Sequence, residues 1–299
     1  MKGIKISACI ITYNQQDYIR ECLEGAINQV VLCDYEIVIG DDCSTDQTNT
    51  ICLEYAQKYP EKIKLLSREK NLGMAKNWVN TISECQGNYI AICEGDDYWT
   101  DSNKLQKQID FLEAHPECSF SFHKAVRFDA RNAAHNKIYP QNITKTILNP
   151  KDFYAVPTIP TASVVFRNPV QIPNLMHSHL DTLLYASLLS KGDAGFVNEQ
   201  MSFYRLHDEG ISNEYSQNWY MERRINELKI EKNLPEFASN VRSEIQKVYI
   251  DHVILYLNRN RGKLSFSQKM NYLKLICGSK YFYAKSLKEY LILFKTILK

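Results

Sequence analysis

Three carboxylates crowd the stretch AICEGDDYWT: Glu94, Asp96 and Asp97, with Tyr98 and Trp99 directly after them. Carboxylates this close repel one another, and three arrangements relieve the repulsion: exposure, a helix terminus or a bound cation. A hard divalent ion such as Mg2+ or Mn2+ takes oxygen ligands, one or two from protein carboxylates and the rest from phosphate and water. Two adjacent aspartates suit a site of that kind. The plainer reading is that Asp96 or Asp97 caps a helix beginning near Ser102. Tyr98 stacks on a sugar ring or packs the sheet edge, and Trp99 is read as packing.

A second acidic pair, Asp41-Asp42, ends the apolar run EIVIG and precedes Ser44, Thr45 and Asp46. Asp46 is the expected cap of the next helix. That leaves Asp42 at the end of a strand, where a carboxylate can accept hydrogen bonds from a base N–H or a ribose hydroxyl. The chain has no GxGxxG after its first apolar run and no GxxxxGK[ST], so no glycine-rich cradle holds phosphates. A metal is then needed to neutralise them.

These residues need elements that bring them together. Apolar runs rich in β-branched residues alternate with helix-period segments through the first half: IKISACIITY, a helix over residues 16–28, YEIVIG, a helix from Asp46, KIKLLS, a helix from Gly73, and YIAIC. Such alternation predicts a mostly parallel sheet with helices on both faces, which binds ligands beyond the carboxyl ends of its strands. Four polar loops, TYNQQD, DDCSTDQT, SREKNLG and EGDDYW, should therefore converge on one edge. In the second half CSFSFHKAVRF and TASVVFR read as strands. SHLDTLLYASLLSKG reads as a helix, and AGFVNEQMSFYRLH as a strand pair. The pattern from about Ser212 onward is helical.

The chain has 299 residues and is 44% hydrophobic, enough to bury a full core. Its nine cysteines are scattered without a CxxC pair, which favours free thiols in a reducing compartment over a zinc site or a disulfide framework. The opening MKGIKISACIITYN has no signal-peptide pattern, so a cytoplasmic protein is expected. The net charge of +2 averages an uneven distribution, since Leu257–Lys299 holds ten Lys or Arg against one acid, Glu289. The last segment puts Ala284, Leu287, Leu291, Phe294 and Leu298 on one helical face and Lys288, Lys295 and Lys299 on another. Lysine interrupts it too often to span a bilayer. It either contacts the inner face of an anionic membrane or packs on protein. Nothing resembles an aromatic platform for bases, so nucleic acid is not an expected partner.

The motifs ACIITYNQQDYIRECLEGAINQ, EIVIGDDCSTDQT, NLGMAKNW and GNYIAICEGDDYW, in this order, resemble the N-terminal half of the inverting nucleotide-sugar glycosyltransferases of family 2, which have the GT-A fold. The likeness runs from Ile6 to Phe128 and returns at HLDTLLYASLLSKG and YRLHDEGIS. It implies a Rossmann-like α/β domain over residues 1–212, with a nucleotide-binding half (1–128) and an acceptor half (129–212), and a helical basic region over 213–299. It implies a sugar donor carried on a nucleoside diphosphate, with UDP expected, and a saccharide or lipid-linked saccharide acceptor in bacterial polysaccharide or lipopolysaccharide assembly.

By the same resemblance Thr12, Tyr13, Asn14 and Asp42 contact the nucleoside, and Lys76 lies near base and phosphates. Asp96 lies against the ribose, and Asp97 is the ligand of Mn2+ or Mg2+. Glu94 stands where the common form of the motif has its first acid. Asp181, which the residue pattern alone reads as a helix cap, matches the family's base; Leu180 replaces the acid that often precedes it. Arg205 falls near the phosphates and His207 is a second metal or diphosphate contact. His123, His177 and His179 are read as satisfied core or surface residues. Two other readings compete: a nucleotidyltransferase, which would need a glycine-rich basic loop where TYNQQDY stands, and a non-catalytic sugar-nucleotide binding module, which would need no base.

Overall fold

The structure, a computed structural model, describes residues 5–129, 136–156, 158–173, 180–208, 210, 218–260 and 262–277. They fall into two compact units, Met1–Asp208 and Glu209–Lys299.

In the first unit β1 (Ile6–Thr12), β2 (Tyr35–Asp41), β3 (Ile63–Ser67) and β4 (Tyr89–Glu94) alternate with α1 (Ile19–Ile27), α2 (Thr48–Lys58) and α3 (Met74–Ser83). β1 pairs in parallel with β2 and β4, and β2 with β3, giving the order β3-β2-β1-β4. Every residue of β1 is buried. That accounts for its unbroken apolar run: a parallel strand covered on both faces shows no alternation of polar and apolar residues. On one face Ile6, Ala8 and Ile10 pack with Ile19, Cys22, Leu23 and Ala26 of α1. Their spacing of three and four places them on a single helical stripe.

The sheet then turns mixed. β5 (Tyr98–Trp99), α4 (Lys104–Ala114), β6 (Cys118–Asp129), β7 (Lys137–Tyr139), β8 (Ile147–Leu148), α5 (Pro150–Tyr154), β9 (Val165–Arg167), α6 (Leu180–Leu189) and β10 (Asp193–Leu206) follow in order. β9 runs antiparallel between β4 and β6, which makes β6 and its parallel neighbour β10 point the same way as β1 to β4. The strand pair expected over AGFVNEQMSFYRLH is one 14-residue strand, β10. Register shifts against β6 between Val197 and Gln200 and between Gln200 and Ser202 take up the polar Asn-Glu-Gln as irregularities instead of a turn.

Close approach fixes Gly25. A Cβ there would lie 2.7 Å from the carbonyl oxygen of Trp99, so only glycine lets α1 sit against β5. Trp99 is buried, and its Nε1 donates to the carbonyl of Ala162 at 2.9 Å, in accord with the packing role expected for it.

The second unit contains α7 (Asn218–Glu231), α8 (Ser239–Asn260) and α9 (Phe266–Cys277). Its buried residues include Ile225, Leu228, Ile245 and Val253. An ion pair, Arg224–Glu231 at 2.7 Å, is enclosed with them. No helix among the described residues is long and apolar enough to cross a membrane. The lysine-bordered face expected between Ala284 and Lys299 lies outside the described residues, as do His177 and His179.

Candidate active site

The six strands that point one way, β1, β2, β3, β4, β6 and β10, end on a common edge, and the four polar loops lie there. The loop after β1 and the loop after β2 are laced together. Asn14, in the left-handed region at φ 52°, accepts a hydrogen bond from Thr45 N at 2.8 Å, and its own N–H donates to Ser44 Oγ at 2.9 Å. Thr12 is 4% exposed and donates from Oγ1 to Gln15 Oε1 at 2.8 Å. A Cβ on Gly95 would lie 2.7 Å from that Oγ1, so glycine is what lets the acidic loop rest on Thr12. Tyr13 is 45% exposed at the edge itself.

The acids after β2 divide their work. Asp41 turns inward and accepts from Ser44 Oγ at 2.5 Å and from Asn49 Nδ2 at 2.9 Å. Asp42, 3% exposed, accepts from Leu72 N at 2.7 Å and from Gly73 N at 2.9 Å, so it holds the loop between β3 and α3. Asp46 accepts from Thr48 N at 2.9 Å, though the capping position of α2 is Gln47. Lys76 is exposed in the first turn of α3, whose N-terminal end lies at the same edge.

The acidic loop is not a helix cap. The helix expected near Ser102 is α4, which begins at Lys104 with Asn103 as its N-cap; Asp101, not Asp96 or Asp97, accepts from Asn103 N at 2.8 Å. Asp96 Oδ2 lies 3.0 Å from His207 Nε2, at the end of β10. Asp97 points the other way: 1% exposed, it accepts from Arg205 N at 2.8 Å through Oδ1, and its Oδ2 is buried without a hydrogen-bond partner. Burial, followed by the charges of Asp96 and Glu94, pushes the Asp97 carboxyl well above the usual carboxylate range. Burial, then Asp96, then Asp181 raise Glu94 to about 8. Asp181 lies in the first turn of α6, and its charge adds to that of Asp96 in disfavouring the ionised form of Glu94.

The crowding of carboxylates and the Asp96–His207 pair fit a divalent cation. Among the described residues no three His, Cys, Asp or Glu side chains converge on one ion, so the protein would supply few ligands and leave the rest to phosphate and water.

Arg205 is already engaged. Its Nε donates to the Asp96 carbonyl at 3.0 Å and its Nη2 pairs with Glu21. Tyr18 and Tyr98 cover its guanidinium, with ring centroids 4.9 and 5.3 Å away. Tyr18 and Glu21 carried no signal in the sequence, because their partners lie more than 180 residues downstream. Beneath the site, His123 is buried as expected of a core histidine. It is not fully satisfied, however: Nδ1 donates to Lys124 O at 2.8 Å, while Nε2 has no partner. Lys104 is completely buried with its Nζ 4.2 Å from the centre of the Trp99 ring.

The family model described as glycosyl transferase family 2 matches residues 7–171, more than half of the chain. The chain belongs to that family. Its fold is correspondingly the GT-A glycosyltransferase fold, and the structure resembles the solved Staphylococcus aureus TarS 1-349 in complex with UDP-GlcNAc, with a TM-score of 0.60 over 91% of this chain and 80% of that one at 18% identity. In sequence this family 2 glycosyltransferase is 36% identical to the uncharacterised protein Rv1520 of Mycobacterium tuberculosis over 208 residues, 69% of this chain. It spans about 60% of the length of that relative. It is also 27% identical to TuaG of Bacillus subtilis, provisionally named a teichuronic acid biosynthesis glycosyltransferase, over 81% of this chain and 96% of TuaG.

Proposed function

We propose that this glycosyltransferase moves a sugar from a UDP-sugar to a hydroxyl of a saccharide acceptor, with inversion at the anomeric carbon, in the assembly of a surface polysaccharide. One observation carries the reading: Asp96 of the EGDD loop and His207 after β10, 111 residues apart in the chain, meet at 3.0 Å at the carboxyl edge of the sheet, and Asp181 of α6 is near enough for its charge to act on Glu94 of the same loop. A single displacement needs a base on one side of the anomeric carbon and charge stabilisation for the diphosphate on the other. Asp181 takes the proton of the acceptor hydroxyl, whose oxygen bonds to the anomeric carbon as the bond from that carbon to the diphosphate breaks and its electrons leave with the phosphate. The UDP preference rests on the likeness to a protein solved with UDP-GlcNAc, and the polysaccharide context on the kinship to TuaG.

Thr12, Tyr13 and Asn14 line the nucleoside side in this reading, and Asp42 shapes it by holding the 72–73 amides. Lys76 approaches the phosphates. The cation, Mn2+ or Mg2+, would be held by Asp96 and His207, and it would offset the charge developing on the leaving diphosphate. Asp96 replaces Asp97 in the role expected from the sequence, because Asp97 is enclosed and already fixed to the backbone of β10. In this reading a transferase domain extends to residue 212 and a helical basic region follows it. The basic region addresses anionic lipid at the inner membrane face, where a lipid-linked acceptor would lie.

The test is metal-dependent release of UDP from a panel of UDP-sugars, with NMR of the transferred sugar's configuration. Inversion, with loss of Mn2+ binding in Asp96→Asn and its survival in Asp97→Asn, supports the reading. A retained configuration, or Mn2+ binding lost only in Asp97→Asn, overturns it. Vesicle sedimentation with and without anionic lipid tests the membrane contact separately.

A further inference from the structure

We infer that Arg205 is a positioning residue: it ties the N-terminal part of α1 to the acidic loop, and by doing so sets the Asp96–His207 pair, instead of binding the diphosphate itself. The inference rests on the proposed role of that pair as cation ligands.

The donors of Arg205 show where it is committed. A guanidinium binds phosphate best through two parallel N–H groups on one side of its planar fork. Here Nε is taken by the Asp96 carbonyl at 3.0 Å and Nη2, on the same side of the fork, by Glu21. The Tyr18 and Tyr98 rings cover the group, and its side chain is only 12% exposed. The main chain of the same residue donates to Asp97 Oδ1 at 2.8 Å, so side chain and backbone hold both aspartates at once.

The same contacts reach His207. It follows Arg205 by two residues, so in extended chain the two side chains leave on one side. The Tyr18 ring that lies against the guanidinium also lies 4.7 Å from the His207 ring. Tyr98, the other cover, is stacked on Phe203 of β10 at 5.1 Å. Three separate segments, the start of α1, the acidic loop and the end of β10, thus meet on one guanidinium. Groups that orient metal ligands change metal affinity about 10–100-fold when removed.

The experiment compares wild type with Arg205→Met, which keeps an unbranched stem between the tyrosines and loses every donor, and with Glu21→Gln, whose side chain is 58% exposed and whose replacement leaves the core untouched. Two affinities are measured on the full chain: Mn2+ at saturating UDP, by electron paramagnetic resonance of the free ion, and UDP without metal, by calorimetry. Positioning predicts that Arg205→Met weakens Mn2+ at least about 10-fold, that Glu21→Gln weakens it in the same direction by a smaller factor, and that metal-free UDP affinity stays within about two-fold. A direct phosphate contact predicts that Arg205→Met loses metal-free UDP affinity while Glu21→Gln changes nothing, and this would overturn the inference. Unchanged Mn2+ affinity in both variants, with wild type binding the ion, overturns it too and leaves the cation reading standing. Absence of Mn2+ binding by wild type defeats both. If Arg205→Met does not fold, Glu21→Gln decides alone.

Discussion

Asp96 and His207 meet at 3.0 Å across 111 residues of chain, and the contact joins the loop after β4 to the end of β10. β4 and β10 do not pair; β9 and β6 lie between them in the sheet. β5 bridges that distance. It follows the acidic loop directly and pairs with Ser202 and Phe203, so the loop is drawn along the sheet edge toward the end of β10.

Asp181→Asn should reduce kcat/KM by about 10²–10⁴ and leave UDP-sugar affinity within about two-fold, because a base acts on the acceptor and not on the donor. Azide, a nucleophile with no proton to lose, should restore sugar release in this variant. Wild-type turnover by Asp181→Asn, or a loss of donor affinity in place of rate, would count against Asp181 as the base.

Burial, then Asp96 and Asp181, push the Glu94 carboxyl up to about 8 by disfavouring its charge. A carboxyl raised in the folded state binds more protons there than in the unfolded chain, so stability is lost as pH rises from the ordinary value of 4.5 through 8. Metal-free Glu94→Gln should therefore lose less stability than wild type between pH 5 and 8, measured by thermal melting in chelator. Parallel curves for the two proteins would refute this.

Lys104 shows the opposite sign. Burial lowers it to about 7, so across pH 7 to 10.5 the unfolded chain holds a proton that the folded chain lacks, and stability falls as pH drops through that window. The slope from one such group is at most about 1.4 kcal/mol per pH unit. Lys104→Met, of similar length and apolar, should remove the slope and stabilise the protein at pH 7 by about 1–4 kcal/mol. Urea melts at pH 7 and 10 measure both effects, and a destabilised Met variant would contradict the account.

Asp42→Asn turns an oxygen that accepts from Leu72 N or Gly73 N into an N–H donor facing another donor. Such a mismatch costs about 1–3 kcal/mol. The loop ahead of α3 should loosen, seen as faster amide exchange at residues 72 and 73, and UDP should bind about ten-fold more weakly. Unchanged exchange with weakened UDP would instead mean that Asp42 touches the nucleotide itself.

Much of this protein is determined by local sequence. The apolar runs ISACIIT and IVIG fix a buried parallel sheet, since only a strand covered on both faces carries so many β-branched residues without alternation. The order of the four polar loops fixes the edge that binds, and their residues are enough to show the resemblance to the family. Local sequence does not fix how each side chain is used. Asp96 and Asp97 are adjacent and chemically alike, but they sit in the turn that Asp97 N closes on Glu94 O at 3.0 Å, and the turn sends their side chains to different partners. Which one reaches His207 and which is enclosed under β10 is set by the pairing of β5 with β10 more than 100 residues away. The same holds for Arg205, whose partners Tyr18 and Glu21 lie at the start of α1, and for Asp181, whose charge acts on Glu94 only because α6 packs against β6 and β10. Residue type and spacing along the chain record which groups are available. Long-range strand pairing decides which of them meet, because those contacts depend on the packing of the whole domain.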